Sequence, residues 1–307
     1  MSGIIEATDF KEIFFPRKNS GVTLLEGTTT VTIKGRINVY VRRFRPPKDE
    51  KITTRRPLVI FFHGNGELAE SYSCREAIVP GIPPNMMQIL FDHCACDAAF
   101  VEYRGYGDHF GSEEPSLSGC LEDSLEVIPG LGVDPRDCVV FGRSLGSLFA
   151  LHVAAAQRPA CVVIESGIAT LESVSARGAS GKTVEAIRSA DANLLKQTEK
   201  VSDFVSHGGK LLVIHAVDDA IVPISNAESL VASATAAVQE ETKGSVEFVK
   251  MKIGGHNMIL PANWECYRDR LRSFLSAKFN VTAAIREQLQ FSKTDDQTSS
   301  DKKCSIV

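Results

Sequence analysis

No stretch of this sequence approaches the roughly 18 consecutive apolar residues that a membrane-spanning helix needs, so a helical membrane span is excluded at the outset. An excess of positive charge is missing too. Thirty-four Lys and Arg stand against 38 Asp and Glu, a formal net charge of -4, which offers no basic face to nucleic acid, and nucleic acid is not expected as a partner. The opening residues Met1-Ser2-Gly3-Ile4-Ile5-Glu6 carry neither a basic stretch followed by an apolar one nor glycine at position 2. Neither a secretory signal nor myristoylation is therefore expected. The regular cysteine spacing of a disulfide framework is also lacking: the eight cysteines fall at 74, 94, 96, 120, 138, 161, 266 and 304, mostly inside apolar or helical patterns, and read as the reduced thiols of a cytoplasmic protein. His93-Cys94-Ala95-Cys96 has no partner pair at zinc-site spacing, so no metal is expected, and no motif calls for a cofactor.

What is present is alternation. A chain of 307 residues with 43% hydrophobic content is large enough for one sizeable core. Residues 28–33 and 37–44 alternate in period two around Lys34-Gly35-Arg36, which predicts an antiparallel hairpin at a sheet edge. Strand-like and helix-like runs then alternate to residue 279, the pattern of an α/β protein with a mostly parallel, doubly wound sheet. The domain is read over 21–284, after a polar and aromatic lead-in at 1–20.

Residues 139–147 read Val-Val-Phe-Gly-Arg-Ser-Leu-Gly-Ser, a buried strand running into Gly-x-Ser-x-Gly and then into a helical run over 148–157. A serine on so sharp a strand-to-helix turn leaves room only for glycine two positions either side, and the turn lifts the Ser144 hydroxyl above the sheet. It also sets the Leu145 backbone N–H where an oxyanion would develop. Upstream, the apolar strand 57–62 ends in His63-Gly64-Asn65-Gly66, whose backbone can approach a ligand closely. Downstream, the strand 211–215 leads into Ala216-Val217-Asp218-Asp219-Ala220-Ile221-Val222-Pro223, offering a carboxylate just past a strand end. The strand 245–252 then leads to Gly254-Gly255-His256-Asn257, before a helix over 262–278. Serine, acid, histidine is the chain order of one hydrolase class.

These blocks, together with Glu102-Tyr103-Arg104-Gly105-Tyr106-Gly107, resemble the α/β-hydrolase superfamily of serine hydrolases over residues 31–279, and within it the short-lid branch of depalmitoylases and small esterases. The resemblance implies the α/β-hydrolase fold and a short lid over about 167–209. That stretch is polar here, with Lys182, Glu185, Arg188, Asp191 and Lys196 and few aromatics, and an open cleft is expected. Two departures stand out: His215-Ala216 replaces the family's His-Gly, and Asp108-His109-Phe110-Gly111 replaces its usual small residues.

Ser144 is the expected nucleophile and His256 the base that takes its proton. Asp219 and Asp218 compete to orient the imidazole; the acid-turn pattern counted from His215 selects Asp219, with Asp218 as the alternative. The oxyanion donors are expected to be the backbone N–H groups of Asn65 and Leu145. His63 and His215, at strand ends, are read as holding their turns by hydrogen bonds.

Residues 285–307 are read as a flexible tail, rich in Gln, Ser, Thr, Asp and Lys from 288 on, that presents Cys304-Ser305-Ile306-Val307. Cysteine fourth from the end with an aliphatic third position is a prenylation signal at Cys304; Val307 does not decide between farnesyl and geranylgeranyl. The expectation is a hydrolase of an acylated protein or small acyl ester, an acyl-protein thioesterase first, cytoplasmic and partly on the cytosolic face of membranes. A lysophospholipase or other lipid esterase, or a peptidase, would share the same triad. A tethered scaffold without turnover is the reading from another class.

Overall fold

The structure is a computed structural model that describes residues 13–19, 21–46, 51, 53–74, 86–175 and 181–290. One eight-stranded sheet organises it, from β1 (Thr28–Ile33), β2 (Ile37–Arg42), β3 (Leu58–Phe62), β4 (Asp97–Val101), β5 (Cys138–Arg143), β6 (Cys161–Glu165), β7 (Lys210–Ala216) and β8 (Ser245–Met251). Their order is β1-β2-β4-β3-β5-β6-β7-β8. The β1–β2 hairpin and the β2–β4 pair are antiparallel, and all other neighbours are parallel. This is the α/β-hydrolase fold, with the expected hairpin at one edge. Lys34 and Gly35 both take positive φ at its turn, the geometry that lets a tight hairpin follow the twist of its strands.

The central strands are apolar over most of their length because helices cover both faces. Ile60, Phe62, Val140, Val162, Ile164 and Val213 point to one side, where Leu121, Phe149, Phe204 and Leu230 complete a core. Their neighbours Val59, Phe61, Phe141, Val163 and Ile214 point to the other, against Leu90, Tyr267, Leu271 and Phe274. β8, at the far edge, is mostly half-buried. The chain steps from β3 to β4 on one side and then crosses to β5 on the other, so a crevice opens at the strand carboxyl ends there, where open α/β sheets bind ligands.

Two segments differ from the sequence reading. The stretch taken as lid over 167–209 closes with a helix, Gln197–Ser206, that buries Val201, Phe204 and Val205 and packs against the helices Gly146–Gln157 and Ser225–Ala236; it belongs to the layer covering the sheet. The segment read as tail from residue 285 opens in a helix, since residues 281–290 are helical, and the rest of it lies outside the described residues. In that helix Glu287 accepts the Thr53 N–H at 2.6 Å and the Thr54 N–H at 3.2 Å, and Gln288 accepts from Arg56 at 2.9 Å. Cys304 lies outside the described residues.

Candidate active site

Ser144 sits between β5 and the helix Gly146–Gln157 with φ of 50°, a strained value for a residue with a side chain. The crowding that demands glycine on either side is visible. A Cβ on Gly142 would lie 2.6 Å from the Ala150 Cβ, and one on Gly146 would press into the backbone carbonyls of Phe62 and His63. The turn is held by the Ser144 N–H, which donates to the Glu165 carbonyl at 2.9 Å, and by the Ser147 hydroxyl, which donates to the Ser144 carbonyl at 2.6 Å.

His256 stands on the loop after β8, where Gly254 and Gly255 both take positive φ. Its Nε2 lies 2.8 Å from Ser144 Oγ and its Nδ1 lies 2.8 Å from Asp219 Oδ2. A carboxylate only accepts, so Nδ1 carries the proton and Nε2 is left to accept the serine hydroxyl. Asp219 is 6% exposed and its second oxygen takes the Ile221 and Val222 N–H groups at 2.9 and 2.8 Å. Burial alone would raise this carboxyl, but the hydrogen bond and charge of His256 with those two N–H groups bring it below the usual range. Asp218 does not reach the imidazole. It is exposed, and its Oδ1 accepts the Gly255 N–H at 2.8 Å, which braces the histidine loop from below. Buried His215, lowered by desolvation, donates from Nε2 to the Val222 carbonyl at 2.9 Å and so closes the acid turn.

Of the two expected oxyanion donors, Leu145 follows the serine directly and Asn65 stands on the turn after β3. Among the described residues no protein acceptor takes the N–H of Leu145 or of Asn65. The Asn65 side chain is turned away, donating to the Ile13 carbonyl and accepting from the Phe15 N–H at 2.9 Å and the Tyr106 hydroxyl at 3.0 Å. Behind that turn, His63 lies 2.8 Å from the Gly64 carbonyl through Nδ1 and 2.9 Å from Glu102 Oε1 through Nε2. The Gly64 carbonyl and the Glu102 carboxylate are both acceptors, which favours a protonated ring. Burial opposes this, and the Glu102 hydrogen bond and charge outweigh it, raising His63 above its usual value.

Sequence reasoning missed a second layer. Glu102 enters the sequence reading only as the first residue of the Glu102–Gly107 block, and Glu67, Arg143, Glu165 and Tyr267 are not singled out there. Yet Arg143 and Glu165 are buried and ion-paired at 3.1 Å beneath the serine and histidine. The signal was a charge closing an otherwise apolar strand, at the ends of β5 and β6.

No family model matches this chain. An α/β-hydrolase domain-containing protein of Caenorhabditis elegans, aho-3, is 25% identical over 300 residues, covering 90% of this chain and 80% of its own length. An uncharacterized Mycobacterium tuberculosis protein is 30% identical over 179 residues, 57% of this chain and 58% of its own. Among solved structures, the Pyrococcus furiosus esterase Pf2001 superposes with a TM-score of 0.60 at 13% identity, covering 87% of this chain and 98% of that one. A puromycin-hydrolyzing peptidase of Mycobacterium tuberculosis gives 0.57 at 13% identity, over 85% of this chain and 41% of its own. At such identities the likeness to solved structures is one of fold.

Proposed function

We propose that this chain is a serine hydrolase of the α/β-hydrolase superfamily, similar to aho-3 in sequence and to Pf2001 in fold, that cleaves an ester or thioester through an acyl-enzyme. One observation carries the reading: Ser144, held at φ of 50° on the turn after β5, is joined to His256 and through it to Asp219 by two 2.8 Å hydrogen bonds. His256 Nε2 takes the hydroxyl proton as Oγ attacks the acyl carbonyl, and Asp219 stabilises the imidazolium without taking its proton. The N–H groups of Leu145 and Asn65 receive the oxyanion, the leaving group departs with the proton from His256, and water activated by the same nitrogen releases the acid.

Apolar surface on the loops that carry the site suits an acyl chain. Val217 and Ile221 on the acid turn, Ile253 and Met258 on the histidine loop, and Phe15 against the Asn65 turn are large apolar side chains left 49 to 64% exposed. An acyl-protein thioesterase fits this surface together with the Cys304 prenylation signal, which would hold part of the protein at the cytosolic face of membranes. Labelling with an active-site fluorophosphonate tests the hydrolase reading: wild type takes the probe and Ser144→Ala does not. An acyl-length series on matched thioesters and oxygen esters tests the substrate, with rates rising toward long-chain thioesters; a preference for short oxygen esters would make the protein a small esterase.

A further inference from the structure

We propose that Arg143 is a positioning residue that ties the serine turn, the histidine loop and the oxyanion turn into one unit, an inference that rests on the hydrolase reading above. It precedes Ser144 and is 7% exposed. Each part of its guanidinium has a different task. Nε donates to Glu165 Oε1 at 3.1 Å. Nη2 donates to the backbone carbonyl of His256 at 2.8 Å and to Asn257 Oδ1 at 3.2 Å, so it holds the base by its own main chain. Nη1 pairs with Glu67, whose other oxygen accepts the Gly64 N–H at 2.6 Å and the Tyr72 hydroxyl at 2.6 Å. Gly64 adjoins Asn65, so the chain of contacts ends at an expected oxyanion donor.

Two features show a fitted site. A Cβ on Gly64 would lie 2.5 Å from Arg143 Nη1 and 2.8 Å from Glu67 Oε2, so any side chain there would have to displace the ion pair. Glu165 is anchored from the far side by the Tyr267 hydroxyl, and its own carbonyl accepts the Ser144 N–H at 2.9 Å. A planar guanidinium offers five N–H groups in fixed directions; an ammonium keeps the charge but cannot meet acceptors on three separate loops at once. Removing a guanidinium and two carboxylates from water is costly, and apolar residues of similar volume often fill such space at no loss of stability. What this cluster supplies is orientation. The site needs two short hydrogen bonds at one imidazole, and misplacement of reacting groups by about 1 Å costs on the order of 100-fold in rate.

Arg143 touches no substrate, so its loss should fall on kcat and leave KM alone. Arg143→Lys is expected to lower kcat on a short soluble p-nitrophenyl ester by about tenfold or more, with KM within about twofold and the rate of fluorophosphonate labelling reduced in parallel. Glu67→Gln keeps an acceptor for the Gly64 N–H but loosens the pair, and should lower kcat less. The double variant should be no worse than Arg143→Lys, because both act along one path. A folded Arg143→Lys with wild-type kcat, or with its loss in KM instead, overturns the proposal. Should that variant fail to fold, Glu67→Gln decides, and wild-type kcat there overturns it equally. Absence of labelling in the wild type would bring down the hydrolase reading, and this inference with it; normal wild-type labelling with an unaffected Arg143→Lys removes the tie alone.

Discussion

At the scale of single residues, the two aspartates of the acid turn divide the work, and each makes its own prediction. Asp219→Asn keeps the shape but turns a pure acceptor into a group that can donate, so His256 loses its fixed tautomer; kcat should fall by on the order of 10³ to 10⁴ with the thermal midpoint little changed. Asp218→Asn retains an acceptor for the Gly255 N–H and should stay within about threefold of wild type. If steady-state kinetics show Asp218→Asn to be the crippled variant, the assignment is reversed. Ser144→Ala and His256→Ala should each abolish most turnover, and the pair together should be little worse, since they act as a unit. Ser144 and His256 were legible in the sequence because the turns that carry them restrict composition so sharply: Gly142, Gly146, Gly254 and Gly255 are glycines for steric reasons. Arg143 was not legible as a tie. Nothing local tells a charge at a strand end that its partners lie 22 and 76 residues away.

At the scale of elements, strands were easier to read than the helices between them. A buried parallel strand is a short apolar run with a definite end, as in β3, β5 and β7. The helix Gln197–Ser206 carries only a few apolar positions among Thr, Glu, Lys, Ser and Asp, so its place in the covering layer was hidden by its polar face. The serine turn makes a prediction against ordinary helix preference. Gly→Ala in a helix usually stabilises by up to about 1 kcal/mol, but at Gly146 the added methyl meets backbone oxygens at the end of β3. Gly146→Ala should therefore destabilise by about 2 to 3 kcal/mol in chemical denaturation. In the seam near the helix Gln197–Ser206, burial lowers Lys200 to about 8. Between that value and the unfolded value of about 10.4, the unfolded chain holds a proton that the folded chain has released. Stability attributable to this residue thus climbs with pH across that window, and below pH 8 the folded chain bears the full cost of the buried charge. Lys200→Met should raise the thermal midpoint at pH 7, by a gain on the order of 1 kcal/mol after allowing for partial exposure, and the gain should shrink toward pH 10. A midpoint that is unchanged, or a gain that grows with pH, would contradict this.

At the scale of the whole molecule, no helix among the described residues is long and apolar enough to cross a membrane, and the proposed prenylation of Cys304 makes its own prediction. One lipid chain gives only marginal, reversible binding. Lys302 and Lys303 add roughly 1 kcal/mol each near an anionic surface, partly offset by Asp301. The protein should divide between cytosol and membrane, and Cys304→Ser should leave it wholly in the cytosolic fraction with hydrolysis of a short soluble ester unchanged; equal membrane fractions would dismiss the signal. The order of the site along the chain has a consequence for biosynthesis. Ser144 emerges from the ribosome long before His256, and β8, the strand that delivers the histidine loop, is the last strand of the sheet in chain order and lies at its edge. A nascent chain can build the central strands and the strained serine turn while its base is still untranslated and the guanidinium beside it has no carbonyl to hold. Translation intermediates arrested before residue 256 should accordingly take no fluorophosphonate, with reactivity arriving only once the histidine loop has been made.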